Sequence, residues 1–152
     1  MADSSPLIPE LSGARSILVV DDAAVVRRLA FRLLAEAGYR VFEAGSAAEA
    51  LEVLNMASGH VELVLVDVVM PEVNGVDLAR MVLEVAPAAQ IVFMSAFPAE
   101  ILVREGLRDV QVQFLAKPFT REELLSIVAR SLMEARTGAA DAAHRAPNRA
   151  DT

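Results

Sequence analysis

Cysteine is absent from the 152-residue chain, which excludes a disulfide framework, a thiolate metal centre and thiol redox chemistry. Histidine is scarce. His60 and His144 lie far apart in sequence, and the second falls in a stretch that reads as a tail, so no zinc site is expected. Positive charge is also in short supply, with a formal net charge of −7. Direct DNA or RNA binding is therefore disfavoured, because it depends on neutralising phosphates with Lys and Arg. Thirteen of the fourteen basic residues are Arg, and Lys117 is the one Lys. A compact ammonium and a planar guanidinium are not interchangeable, which marks Lys117 for attention. No apolar run approaches the ~18 residues of a membrane span, and the N-terminus lacks the basic-then-apolar pattern of a signal peptide. The expectation is a cytoplasmic protein with no membrane contact.

What is present is an alternation. Hydrophobic residues make up 55% of the chain, enough for one domain with its own core. Residues 1–15 carry Ser4, Ser5, Pro6, Pro9, Ser12 and Gly13 and read as a flexible leader. Ile17 to Val20 form a short apolar run that stops at Asp21-Asp22. A helix follows to about Ala37, where Gly38 ends it. Arg40 to Ala44 is a second strand. Ser46 and Glu49 make a capping box that opens a helix running to about Met56. Val61 to Val66 is the third strand and delivers Asp67 at its end. Met70-Pro71 and the turn pair Asn74-Gly75 come next, then an amphipathic helix that Pro87 closes. Ile91 to Met94 is the fourth strand, ending at Ser95. Pro98 opens a fourth helix, limited by Gly106. Val110 to Ala116 is the fifth strand, stopping at Lys117-Pro118. Thr120 and Glu123 make a second capping box, and the fifth helix runs to about Ala135. Residues 137–152 show no periodicity and read as a disordered tail. Five strands, each followed by a helix, with short loops, predict an α/β fold. Its sheet should be parallel and five-stranded, with helices on both faces.

In such a fold the carboxyl ends of the strands share one edge, where α/β proteins keep their chemistry. Asp21, Asp22, Asp67, Ser95 and Lys117 all fall there. Converging carboxylates repel each other, and a hard divalent cation relieves that repulsion. Mg2+ suits a few carboxylates, keeps several waters and accepts a phosphoryl oxygen. A carboxylate can also act as a nucleophile and form an acyl phosphate. Such a transfer needs alignment and charge neutralisation more than covalent help. In this reading Asp67 is the nucleophile, Lys117 the ammonium and Ser95 a hydroxyl donor. Each residue alone has a plainer reading. One Asp before a helix is ordinarily an N-cap, Asp67 could cap the next turn, Ser95 could be a polar strand end and Lys117 a solvated cation. The ordered combination at strand ends is what carries the chemistry.

With these residues in place, the chain from about Ser16 to Ala135 resembles the receiver domain of two-component response regulators. The matching elements are Asp21-Asp22, Asp67 with Met70-Pro71 and Gly75, Ser95-Ala96, and Lys117-Pro118-Phe119. The resemblance implies a flavodoxin-like sheet in the order 2-1-3-4-5, with the receiver domain occupying residues 16–136. It implies that Asp67 takes a phosphoryl group from a phosphohistidine on a sensor histidine kinase or a histidine phosphotransfer protein. Asp22 would bind Mg2+ directly, Asp21 largely through water, and the backbone carbonyl of Val69 would complete the protein ligands. Lys117 would pair with the phosphoryl group, Ser95 would move to donate to it, and the Lys117-Pro118 peptide would be cis. Phe114 occupies the position of the family's switch aromatic. Val69 and Phe97 are apolar where the family can carry polar residues that orient an attacking water, which implies a long-lived phosphoaspartate.

Only a short aperiodic stretch follows Ala135, so a stand-alone receiver is expected, acting by contact with a downstream protein or as a relay, with a receiver excised from a hybrid kinase as the alternative. It would be no enzyme beyond its own phosphorylation and slow dephosphorylation. The face built from the fourth helix, fifth strand and fifth helix carries Ile101-Leu102-Val103. That face is expected to serve a partner or a homodimer. Three alternatives remain open at this level. A phosphatase or mutase of the haloacid-dehalogenase type would need D-x-D at the first strand, where adjacent Asp21-Asp22 stand. A flavodoxin-like cofactor binder would need a phosphate cradle there, and two acids would repel it. A degenerate receiver would bind partners without phosphorylation.

Overall fold

The computed structural model describes residues 14–57, 60–96 and 113–134. The strands are β1 (Ser16–Val20), β2 (Arg40–Ala44), β3 (Leu63–Asp67), β4 (Gln90–Ser95) and β5 (Gln113–Ala116). Among the described residues the helices are α1 (Ala24–Glu36), α2 (Ala47–Met56), α3 (Gly75–Val85) and α4 (residues 121–134). The helix expected from Pro98, the start of the fifth strand at Val110 and residues 137–152 lie outside the described residues, as does most of the expected leader.

All strand pairs are parallel, and the order is β2-β1-β3-β4-β5. β1 and β3 are buried along their whole length. Their unbroken apolar runs fit strands covered on both sides, where alternation with polar residues would be costly. Leu18, Val20, Val64, Val66 and Phe93 pack with Ala50 and Leu54 of α2 and Leu78 and Val82 of α3. The alternate residues Ile17, Val19, Leu63, Leu65, Val92 and Met94 pack with Ala30 and Leu34 of α1 and Leu124 and Val128 of α4. The two-residue period of a strand thus sends neighbours to opposite cores.

Local signals set most boundaries. Beyond α1, Gly38 sits at φ +100°, and the N–H groups of Ala37, Gly38 and Tyr39 bond to carbonyls of the last turn. The Thr120/Glu123 box is reciprocal: Glu123 N–H donates to Thr120 Oγ1 (3.1 Å) and Thr120 N–H to Glu123 Oε1 (2.9 Å). At α2, Ser46 accepts from Glu49 N–H, while the Glu49 carboxylate takes the N–H of Gly45. Asn74-Gly75 differs from the turn pair expected of it. Asn74 is the N-cap of α3, accepting from Asp77 N–H at 2.9 Å, and Gly75 is already helical.

The order places β2 on one side of β1 and β3 on the other. Connections from β1 and β3 therefore leave in opposite directions, and a crevice opens at their carboxyl ends. Asp21, Asp22 and Asp67 stand at that crevice.

Candidate functional site

Asp67 is the last residue of β3, Ser95 the last of β4, Asp21 follows β1 directly and Lys117 follows β5 directly. Asp21 is fully buried, Asp67 and Ser95 are buried, and Asp22 is exposed. Carboxylate oxygens of Asp21, Asp22 and Asp67 lie within 4.8 Å of one another. Lys117 Nζ donates to Asp21 Oδ2 at 2.9 Å and lies 3.4 Å from Asp67 Oδ2. A single ammonium thus bridges two of the three acids.

The helix starts show that these acids are not spent as caps. The N-cap of α1 is Ala23, with no side-chain capping bond, and α3 is capped by Asn74. Asp21 and Asp67 instead make the same local bond, each accepting on Oδ1 from the N–H two residues on. These bonds are Ala23 N–H to Asp21 at 2.9 Å and Val69 N–H to Asp67 at 3.3 Å. Each bond orients a carboxylate and leaves Oδ2 toward Lys117.

Burial raises the pKa of Asp67 above its ordinary value, and the neighbouring Asp21 carboxylate pushes the same way. The Lys117 ammonium and the Val69 N–H oppose them without cancelling the rise. Three acids facing one ammonium leave an excess of negative charge, and the donors are all hard oxygens. That set fits a divalent cation of the Mg2+ type. Among the described residues, Asp21, Asp22 and Asp67 are grouped closely enough to hold it.

The remaining predicted residues divide. Ser95 is tied to the Lys117 turn through its backbone carbonyl, which accepts from Lys117 N–H at 3.0 Å. The Lys117-Pro118 peptide is cis. Phe114 is partly buried with its ring centroid 5.6 Å from that of Phe93. The Val69 side chain is 69% exposed, so it does not seal the site. Phe97 and Ile101-Leu102-Val103 lie outside the described residues.

Two contributors have roles that the sequence did not assign. A Cβ on Gly75 would sit 2.2 Å from the carbonyl oxygen of Asp67. Gly75 also donates its N–H to Val68 O at 2.8 Å. Only glycine lets α3 start this close to the β3 end. The signal was present as Asn-Gly, but it pointed to a turn. The second is Arg27, whose Nη1 donates to the Asp21 carbonyl at 2.7 Å. One Arg among the three on an amphipathic helix gave no such signal.

A family model for the response regulator receiver domain matches residues 17–129. The chain belongs to that family. The receiver reading extends to its relatives. The sensor kinase CckA of Brucella abortus is 37% identical over 123 residues, which are 81% of this chain and 13% of that protein. The response regulator receiver protein CpdR of Brucella abortus is 32% identical, covering 80% of this chain and 99% of CpdR. The crystal structure of the receiver domain of the hybrid histidine kinase CckA is 32% identical. It superposes with a TM-score of 0.66 over 77% of this chain and 98% of that domain. The chain thus carries a receiver domain of two-component systems, and its acidic pocket fits phosphoaspartate and Mg2+ chemistry. No helix among the described residues is long and apolar enough to cross a membrane.

Proposed function

We propose that this receiver is phosphorylated on Asp67 in a Mg2+-dependent reaction. The donor is a phosphohistidine on a sensor histidine kinase or a histidine phosphotransfer protein. The observation that carries this reading is the meeting of three carboxylates within 4.8 Å, with Lys117 Nζ against two of them. An oxygen of the Asp67 carboxylate attacks phosphorus. The P–N bond to the donor imidazole breaks, and its electron pair stays on that nitrogen. Asp21, Asp22 and Asp67 would hold Mg2+, with the Val69 carbonyl as a further protein ligand. Mg2+ supplies charge neutralisation on the phosphoryl oxygens. Lys117, already beside Asp67, stays with the transferred group, and Ser95 donates to it.

The chain would transform no external substrate. Its catalysis is confined to its own phosphorylation and a slow dephosphorylation. Ser95 and Phe114 form the switch, with the Phe114 ring turning inward once Ser95 has moved. The output is contact with a downstream protein or a second copy, without DNA or membrane binding, in the cytoplasm. A degenerate receiver working without phosphorylation is disfavoured because Asp21, Asp22, Asp67 and Lys117 are all present and grouped.

Beryllofluoride, a tetrahedral mimic of a phosphoryl group, tests the site without any donor protein. With Mg2+, fluorine NMR should show bound beryllofluoride on the wild type and none on Asp67→Asn. Equal binding by both proteins would remove Asp67 from the role.

A further inference from the structure

Asp21 is held at every polar atom it has. Its N–H donates to Ala44 O at 3.1 Å, its Oδ1 accepts from Ala23 N–H and its Oδ2 from Lys117. Its carbonyl accepts from Arg27 Nη1 at 2.7 Å. The same guanidinium donates through Nε to Glu43 Oε1 at 3.1 Å. Glu43 lies on β2, next to the Ala44 that takes the Asp21 N–H. The Arg27 and Glu43 side chains are each about four-fifths buried, so the pair is shielded from competing water. Arg28 approaches the second Glu43 oxygen at 3.6 Å, but it is mostly exposed and adds little constraint.

We propose that Arg27 is a positioning residue for the cation site. Its planar fork clamps the turn after β1 to the end of β2, and so sets where Asp21 and Asp22 present their carboxylates. This inference rests on the reading that those acids hold Mg2+. Mg2+ demands near-octahedral geometry at ~2.0–2.1 Å and tolerates misplaced ligands poorly. A small shift of the turn therefore costs cation affinity before it costs the fold. Lysine cannot substitute fully, because one ammonium lacks the two-pronged geometry that reaches a carbonyl and a carboxylate together.

Charge and geometry act here with opposite sign. Removing a cation beside an acidic pocket, by itself, would tighten Mg2+ binding. Loosening the turn would weaken it. The test is calorimetric titration of Mg2+ into the unphosphorylated full chain, since the protein has no tryptophan to report binding. Wild type, Arg27→Gln and Arg27→Lys are compared, and thermal melts without Mg2+ check that each is folded. Arg27→Gln is expected to bind Mg2+ about 10-fold more weakly, the scale of lost support behind a metal ligand. Arg27→Lys should recover part of that loss. If Arg27→Gln does not fold, Arg27→Lys decides, with binding weaker than wild type as the expected result. Binding as tight as wild type, or tighter, in the folded variants overturns the positioning role. Failure of the wild type to bind Mg2+ would strike the cation reading itself, a distinguishable outcome.

Discussion

Asp67 faces two conflicting demands, buried enough to resist ionisation and, in the proposed transfer, required as an anion for nucleophilic attack. Its raised pKa means that the folded chain favours the protonated acid more than the unfolded chain does. The stability from that preference is complete below the unfolded carboxylate value, about 4. It is lost as pH rises through the raised folded value. At neutral pH without divalent cations, ionised Asp67 is therefore a destabilising group. Asp67→Asn should raise the Tm of the metal-free protein near pH 7, each kcal/mol gained being worth ~2–4 °C. The gap should shrink as pH falls and also when Mg2+ is added to the wild type. A lower Tm for Asp67→Asn under metal-free conditions would contradict this account. The sequence displayed the acids, the hydroxyl and the lone Lys117 because each ends or follows an apolar run. It did not display the 2.9 Å and 3.4 Å contacts of Lys117. Those depend on strands far apart in the chain. Nor did it show that neither Asp21 nor Asp22 is the N-cap of α1, which required seeing Ala23 there without a side-chain bond.

At the scale of elements, the site depends on how tightly α3 begins against β3. Gly75→Ala would place a methyl carbon 2.2 Å from the Asp67 carbonyl oxygen, against backbone that cannot rotate away. The start of α3 must shift, at a cost of about 1–3 kcal/mol as for other overpacked positions. Urea unfolding should show the loss, and Mg2+ affinity should fall with it because Asp67 moves. Wild-type stability in Gly75→Ala would mean that the helix start can yield freely. The strands were legible as apolar runs, and the second capping box as Thr120 with Glu123. Asn74-Gly75 was misread because Asn-Gly suits a tight turn as well as a cap followed by a close approach. Which backbone comes near is set by tertiary packing. Residues 97–112, where a further helix was expected, lie outside the described residues.

At the scale of the whole molecule, the parallel order β2-β1-β3-β4-β5 is what turns scattered residues into one site. Periodicity predicted a parallel α/β sheet, but strand order is a long-range property that no local pattern encodes. The order came from the family resemblance, and the structure bears it out. It puts Asp21 and Asp67 on adjacent strands and brings Lys117 across from β5. The most direct measurement of the central claim is intact-protein mass after incubation with a small acyl-phosphate donor. Wild type and Asp67→Asn are compared, each with and without Mg2+. The account predicts one added phosphoryl group on the wild type, dependent on Mg2+ and absent from Asp67→Asn. Followed over time, that adduct should decay slowly, since Val69 offers no polar side-chain atom to orient water. An adduct that persists in Asp67→Asn would contradict the assignment of Asp67 as the phosphoacceptor, and one that forms equally without Mg2+ would contradict the dependence on the cation.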